Sequence, residues 1–376
     1  MHPYRVIILT LALTAMVVIL AVPRSFAESV YTYTRLRPPT GQSFQPTALS
    51  GDGLVIAGQY LGSAGYWRIG GTVQTIATSR FLNMEGIQPI SGPPSLHQFH
   101  PTAIDADGSV IVGSVSANGT AESQGFRWDT QAGTGIVLDS TYVNATNADG
   151  SAIVGNRFLW TAASGVQTLP PLPGSLYGHA EGYGFSQDGS VLVGYSDDEG
   201  GTDRAVAWIG GSVHQLAPST ELGISFATAV TMTPAGAIIA GYDGHDGHAV
   251  RWTPSGMETL GSIFNAFPCG ISEDGSVIVG NWSSGYKVLG YLGSGTGFIW
   301  TAELGMVNLT DLVHRPTRGG VGISADGNTI VGYDGGPWMI QITTVPEPST
   351  LVILATALAF SIPPLLTRRQ RTRFLD

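Results

Sequence analysis

The densest grouping of side chains able to do chemistry is Asp243-Gly-His245-Asp246-Gly-His248. Two imidazoles and two carboxylates are ligands that Zn²⁺ accepts. Two glycines leave the stretch flexible, and no neighbour in sequence would orient the imidazoles, so a solvated loop is the simpler account. A second acidic run, Asp105-Ala-Asp107-Gly108, lacks the later oxygen ligands of a calcium loop, and turn chemistry explains it. Ca²⁺ is the one cofactor these acids would suit; the sequence itself calls for none. A third set is aromatic: Tyr60, Tyr195, Tyr242, Trp282 and Tyr333 each follow a Val/Ile-rich stretch ending in Gly. Asp197, Asp198, Glu199, Asp243, Asp246 and Asp334 lie close behind, and His97, His100, His179 and Glu181 lie between such stretches. Aromatic rings beside carboxylates could stack on and hydrogen-bond sugars, or the acids could hold Ca²⁺. The alternative is that the rings pack at sheet ends while the acids keep the surface soluble.

Recognised catalytic patterns are missing. There is no Gly-x-Ser-x-Gly elbow, no His-Glu-x-x-His and no phosphate-binding loop. A glycosidase pair could be drawn from the many carboxylates, but facing acids cannot be read from a one-dimensional string. The formal charge is −10, and residues 28–345 alone hold 11 Lys and Arg against 25 Asp and Glu. Nucleic acid is a poor partner for such a surface; divalent cations and neutral polymers remain compatible. Cys269 is the single cysteine, which excludes an intrachain disulfide, and a small buried hydrophobe describes it better than a reactive thiol.

The elements that must position these residues repeat. Ile271-Ser-Glu-Asp-Gly-Ser-Val-Ile-Val-Gly280 reads as strand, Asp-Gly turn and β-branched strand. Seven copies occur, at Thr47–Gly58, Thr102–Gly113, Asn144–Gly155, Gly182–Gly194, Thr228–Gly241, Gly270–Gly280 and Val321–Gly332. In the fifth, Ala235 replaces the turn Asp. The turn glycines are spaced 55, 42, 39, 47, 39 and 52 residues apart, the widest gap holding a long insertion at 78–100. Each copy is followed by a strand with a tryptophan: Trp67, Trp128, Trp160, Trp208, Trp252, Trp300 and Trp338. Six of these lead through a Gly-containing turn into a fourth apolar segment, such as Val166–Leu169. Four strands, A to D, in each unit of this period predict an all-β fold, a seven-bladed β-propeller of four-stranded blades. A β-solenoid is the runner-up. The seventh unit lacks its fourth strand and the first is preceded by a spare one, Val30–Leu36, so the N-terminal strand is expected to close the ring. A–B turns would then share one end, and B–C loops and D–A linkers the other.

The termini read differently. Arg5, the apolar run Val6–Val22 and Ser25-Phe-Ala27 have the form of a secretory signal cut after Ala27. At the other end come Val345-Pro346-Glu347-Pro348, the apolar run Leu351–Leu366 and the cluster Arg368-Arg369-Gln-Arg371. Physically these are a stiff linker, a marginal membrane-seeking segment and a cationic stop. The expected division is signal peptide 1–27, propeller 28–344 and tail 345–376.

That tail resembles the PEP-CTERM sorting signal of Gram-negative bacteria, with all three parts in order. The resemblance implies an exosortase-type processing enzyme as partner and transient membrane anchoring. The repeats are similar to HAF-type extracellular repeats, including Gly125-Phe126-Arg-Trp128 and Gly297-Phe298-Ile-Trp300. This likeness spans roughly residues 44–340, implies a secreted or surface-displayed protein, and brings no active site with it. The expectation is a non-enzymatic surface or matrix protein used for adhesion or polysaccharide association. The alternatives are a secreted glycan hydrolase or lyase, and a structural spacer without ligand.

Overall fold

The computed structural model describes residues 28–345, apart from 39–40, 42, 61–62, 78–79, 82–96, 118–122, 139–141, 218–222, 245–246 and 283–294. Tyr31–Ile342 forms one compact unit, the body of the propeller. Seven sheets of four antiparallel strands follow one another along the chain, so the fold is a seven-bladed β-propeller and not a solenoid. Blade 4 shows the plan, with strand A at Ala180–Phe185, B at Val191–Asp197, C at Asp203–Ile209 and D at Ser212–Gln215. Strand A of each blade adjoins strand A of the next, which places the A strands innermost. The seventh sheet takes three strands from Gly320–Ile323, Thr329–Tyr333 and Pro337–Val345 and its outermost strand from Glu28–Arg35. The Leu36 amide donates to the Pro337 carbonyl at 3.0 Å, and Tyr33 stacks on Trp338 at 6.4 Å. The N-terminal strand therefore closes the ring, as the unequal repeats anticipated.

The core lies between blades. Tryptophans of strand C are at most 9% exposed, and Trp338 is completely buried. Each cluster draws on two neighbouring sheets; Val154 and Leu169 of blade 3, for instance, pack with Leu192 and Trp208 of blade 4. Burying one such side chain contributes about 2–3 kcal/mol. Four of the indole N–H groups also find carbonyl acceptors, among them Trp208, which donates to Pro170 O at 2.8 Å, and Trp252, which donates to Ala217 O at 2.7 Å. A single blade has no partner for its faces, so the blades stand or fall together.

The Asp-Gly turns differ from the primed two-residue turn that the dipeptide suggests. Only the glycine is left-handed, with φ of 68° at Gly189 and 71° at Gly275, while its Asp is not. Gly189 N–H donates to Ser186 O at 2.9 Å, giving a type I turn closed by a left-handed Gly. The fully buried Ser186 decides this. Its hydroxyl donates to the Asp188 carboxylate (2.7 Å) and accepts the Val191 amide (2.9 Å). Ser50, Ser272 and Ser324 repeat this arrangement. Turn backbones then bond from blade to blade: Asp52 N to Ala106 O, Ala106 N to Ala148 O, Glu273 N to Ala325 O, and Ala325 N to Gly51 O. At this end the ring is stitched together by main chain and offers little that is specific to any one blade.

Candidate functional site

At the opposite end the blades differ, and one irregularity of strand A explains how. All seven A strands carry a β-bulge at the same place, at Thr47, Thr102, Asn144, Tyr183, Thr228, Cys269 and Val321. Bulges bend a strand and re-aim its side chains. Here the bend folds a carbonyl onto the B-strand glycine. A Cβ at Gly155 would lie 1.8 Å from Tyr142 O, and one at Gly194 1.9 Å from Glu181 O. In blade 4 the glycine does not end strand B, which runs on to Asp197, whereas in blade 3 strand B ends at Gly155.

The residue whose carbonyl covers that glycine begins the inner wall: Gln45, His100, Tyr142, Glu181, Phe226, Phe267 and Gly319 in blade order. Five of them sit opposite a residue of strand B, as in the pairs Glu181–Tyr195, Phe226–Tyr242 and Phe267–Asn281. Contacts link the wall from blade 3 to blade 6. Asn144 Nδ2 donates to Glu181 Oε1 at 2.9 Å, and Tyr195 OH donates to Glu181 Oε2 at 3.1 Å. Tyr195 stacks on Tyr183 (centroids 5.9 Å) and meets Phe226 edge-on at 5.1 Å. Tyr242 lies beside Phe226 and flat on Phe267, 4.5 Å apart and 3° from parallel. The result is an aromatic belt across blades 4, 5 and 6, next to an acidic corner on blade 4. Phe226 and Tyr242 are buried beneath it, whereas Tyr183, Tyr195, Phe267 and Glu181 are half-buried and reachable. Outside it, Tyr142, Leu176, Tyr177 and Phe264 are 54–60% exposed.

The acidic corner has its own electrostatics. Burial holds the Asp203 carboxyl above its usual range, opposed by His179 and reinforced by Asp197, Glu181 and Asp198. Burial, then Glu181, raises both Tyr183 and Tyr195, with Asp203 adding to each, so both phenols stay protonated.

The residues singled out in the sequence fall into distinct groups. Tyr195 and Tyr242 join the belt. Tyr60 and Trp282 lie one register position further along strand B, which turns them to the other sheet face; Tyr60 is buried against Phe44. Tyr333 is half-buried in blade 7, away from the belt. Asp197 is fully buried: its oxygens accept Ser175 Oγ and the amides of Tyr177 and His179 at 2.5–2.7 Å. It organises the linker into blade 4. Burial raises its carboxyl, but these donors outweigh that and hold it below its usual value. Asp243 is buried and pairs across two strands with His248, whose ring packs on Phe264 at 5.0 Å. His245 and Asp246 lie outside the described residues, as do Ala27, Pro346, Glu347 and Pro348. Among the described residues no three His, Cys, Asp or Glu gather as metal ligands. Asp107 takes the Ser109 amide, which is turn chemistry. Cys269 occupies the blade 6 bulge, where burial pushes its thiol up to about 12.

Sequence reasoning did not reach Asn144, Tyr183, Asp203, Phe226 and Phe267. A signal for most of them exists. The bulged residue stands six positions before the turn Gly, or eight in blade 5, and the inner-wall residue two before that.

No protein-family model matches the chain, and no curated protein does. Solved structures do. The extracellular domain assigned to a one-component system of B. thetaiotaomicron has a TM-score of 0.50 at 10% identity, over 82% of this chain and 39% of its own. An oligogalacturonate lyase of Vibrio parahaemolyticus scores 0.47 at 10% identity, covering 86% of this chain and 99% of its own. TolB from Acinetobacter baumannii scores 0.39 at 15% identity, covering 86% and 66%. The first is a likeness of fold, and the other two scores are too low to argue from.

Proposed function

We propose that this is an exported surface propeller that associates with extracellular polysaccharide through the aromatic belt, without catalysing a reaction. The belt carries this reading: the reachable rings Tyr183, Tyr195 and Phe267 stand on either side of buried Phe226 and Tyr242 and, with a carboxylate and an amide beside them, suit the apolar faces and hydroxyls of sugar rings. Its span exceeds what a single scissile bond needs. Export rests on the signal-like residues 1–27, with a cut after Ala27. Processing rests on the tail, whose Val345-Pro346-Glu347-Pro348 motif an exosortase-type enzyme would recognise while residues 351–366 hold the chain at the membrane. The last strand of blade 7 ends at Val345, so cleavage at the motif would leave every blade intact. No helix among the described residues is long and apolar enough to cross a membrane.

A glycan array probed with the full-length chain in detergent tests the binding. Tyr195→Ala and Phe267→Ala should each weaken it by about 1–3 kcal/mol of stacking. Wild-type affinity in both variants would remove the belt from the account. A hydrolytic reading has one observation in its favour: a carboxyl raised by burial (Asp203) shares a strand face with a second acid, Glu181. Release of reducing ends from a bound glycan, abolished by Asp203→Asn, would establish it.

A further inference from the structure

The chemistry of the acidic corner narrows the kind of sugar. Glu181 sits on strand A opposite Tyr195, and Tyr195 opposite Ala205 of strand C, two residues from Asp203. With a strand period of two, Glu181, Tyr195 and Asp203 share one sheet face. Tyr183 stacks on Tyr195 at its side. The surrounding charges are otherwise engaged. Asp198 is paired with Arg204 at 2.7 Å, and Asp197 is consumed by three donors. Arg157, whose charge acts on Tyr195, donates to Tyr177 O and Gly178 O at 2.8 Å. His179 is exposed at the rim. Glu181 keeps acceptor capacity, because Asn144, Tyr195 and Tyr183 bond to a carboxylate that has about four lone-pair sites.

We propose that the Glu181–Asp203 corner receives a protonated primary amine, so that the polysaccharide bound at the belt carries free amino sugars. This rests on the glycan reading above. An ammonium would make charge-assisted hydrogen bonds to Glu181 and Asp203 and lie against the faces of Tyr183 and Tyr195. An N-acetylated sugar offers neither the charge nor the three donors. A uronate would be repelled, by the corner and by the acidic surplus of residues 28–345.

Calorimetric titration of the full-length chain in detergent at pH 6 should compare tetramers of glucosamine, N-acetylglucosamine and galacturonate. The glucosamine tetramer should bind at least about tenfold more tightly than the N-acetylated one, with no galacturonate binding. Raising salt to 0.5 M should shrink the preference. Glu181→Gln and Asp203→Asn together should reduce it to about twofold. Equal or tighter binding of the N-acetylated tetramer by the wild type would overturn the amine assignment and leave the glycan reading standing. Binding of none of the three would overturn both. The wild-type comparison needs no variant to fold.

Discussion

Gly194→Ala tests how the inner wall is built. The added Cβ would lie 1.9 Å from Glu181 O and 2.9 Å from Glu181 C. Ordinary contact begins at 3.4 Å, so the strands must part by about 1.5 Å, and no rotamer change can absorb a clash of Cβ with backbone. Overpacking of this kind costs roughly 3 kcal/mol, against which the smaller unfolded-state entropy of Ala returns about 0.4–1. A net loss of about 2–3 kcal/mol follows. The unfolding entropy, about 2.1 cal/mol/K per residue over roughly 310 residues, converts this to a fall in Tm of about 3–5 °C. Differential scanning calorimetry of the full-length chain reads it. Gly200→Ala in the same blade is the control. Its nearest neighbour is the Asp198 carboxylate at 3.3 Å, only just inside ordinary contact, and its φ is not left-handed; the change should stay within about 0.5 kcal/mol. Because the strand that must move carries Glu181, Gly194→Ala should also weaken glycan binding. If it melts with the wild type, strand A does not fold over the glycine and the bulged wall is misdrawn.

Other outcomes follow from the same geometry. Ser186→Ala removes the hydroxyl that holds Asp188 and the Val191 amide, and should cost about 1–2 kcal/mol in urea unfolding. Trp208→Ala should cost about 3–5 kcal/mol by cavity formation and a lost bond to Pro170, read by the same method. Acid should destabilise the turns: hydroxyl donors hold the Asp188 carboxyl below its unfolded value of 3.8. The sign is that of a depressed acid, so its contribution is full above 3.8 and lost as pH falls through the folded value. Asp107, Asp149, Asp274 and Asp326 are lowered too, and should act together. Tm should therefore drop below about pH 4, less steeply in an Asp188→Asn, Asp326→Asn double variant. Asp105 and Asp203, raised by burial, act in the opposite sense and are relieved as pH falls.

Blade number, strand order and ring closure were legible because they follow from period-two patterning and from local turn chemistry repeated seven times. Trp338 without a following strand and Val30–Leu36 without a hairpin partner were complementary gaps. What escaped was the bulge. One extra residue at Tyr183 or Thr228 does not disturb composition or hydrophobic alternation enough to show, yet it sets which side chains reach the inner wall. Tyr195 is on the wall because it directly follows its glycine, whereas Tyr60 stands one position further from its own and turns to the other sheet face. Asp203 escaped because its partner Glu181 is 22 residues away in sequence, and only the pairing of three strands brings them to one face.

The central claim is that the belt end of the propeller, and not the turn end, meets the glycan. Hydrogen exchange with and without a bound oligosaccharide reads this directly. The account predicts added protection in the segments around residues 180–183, 195, 226, 242 and 267, with the turns at 51–53, 148–150 and 273–275 unchanged. Protection confined to the turns, or none at saturating ligand, would contradict it.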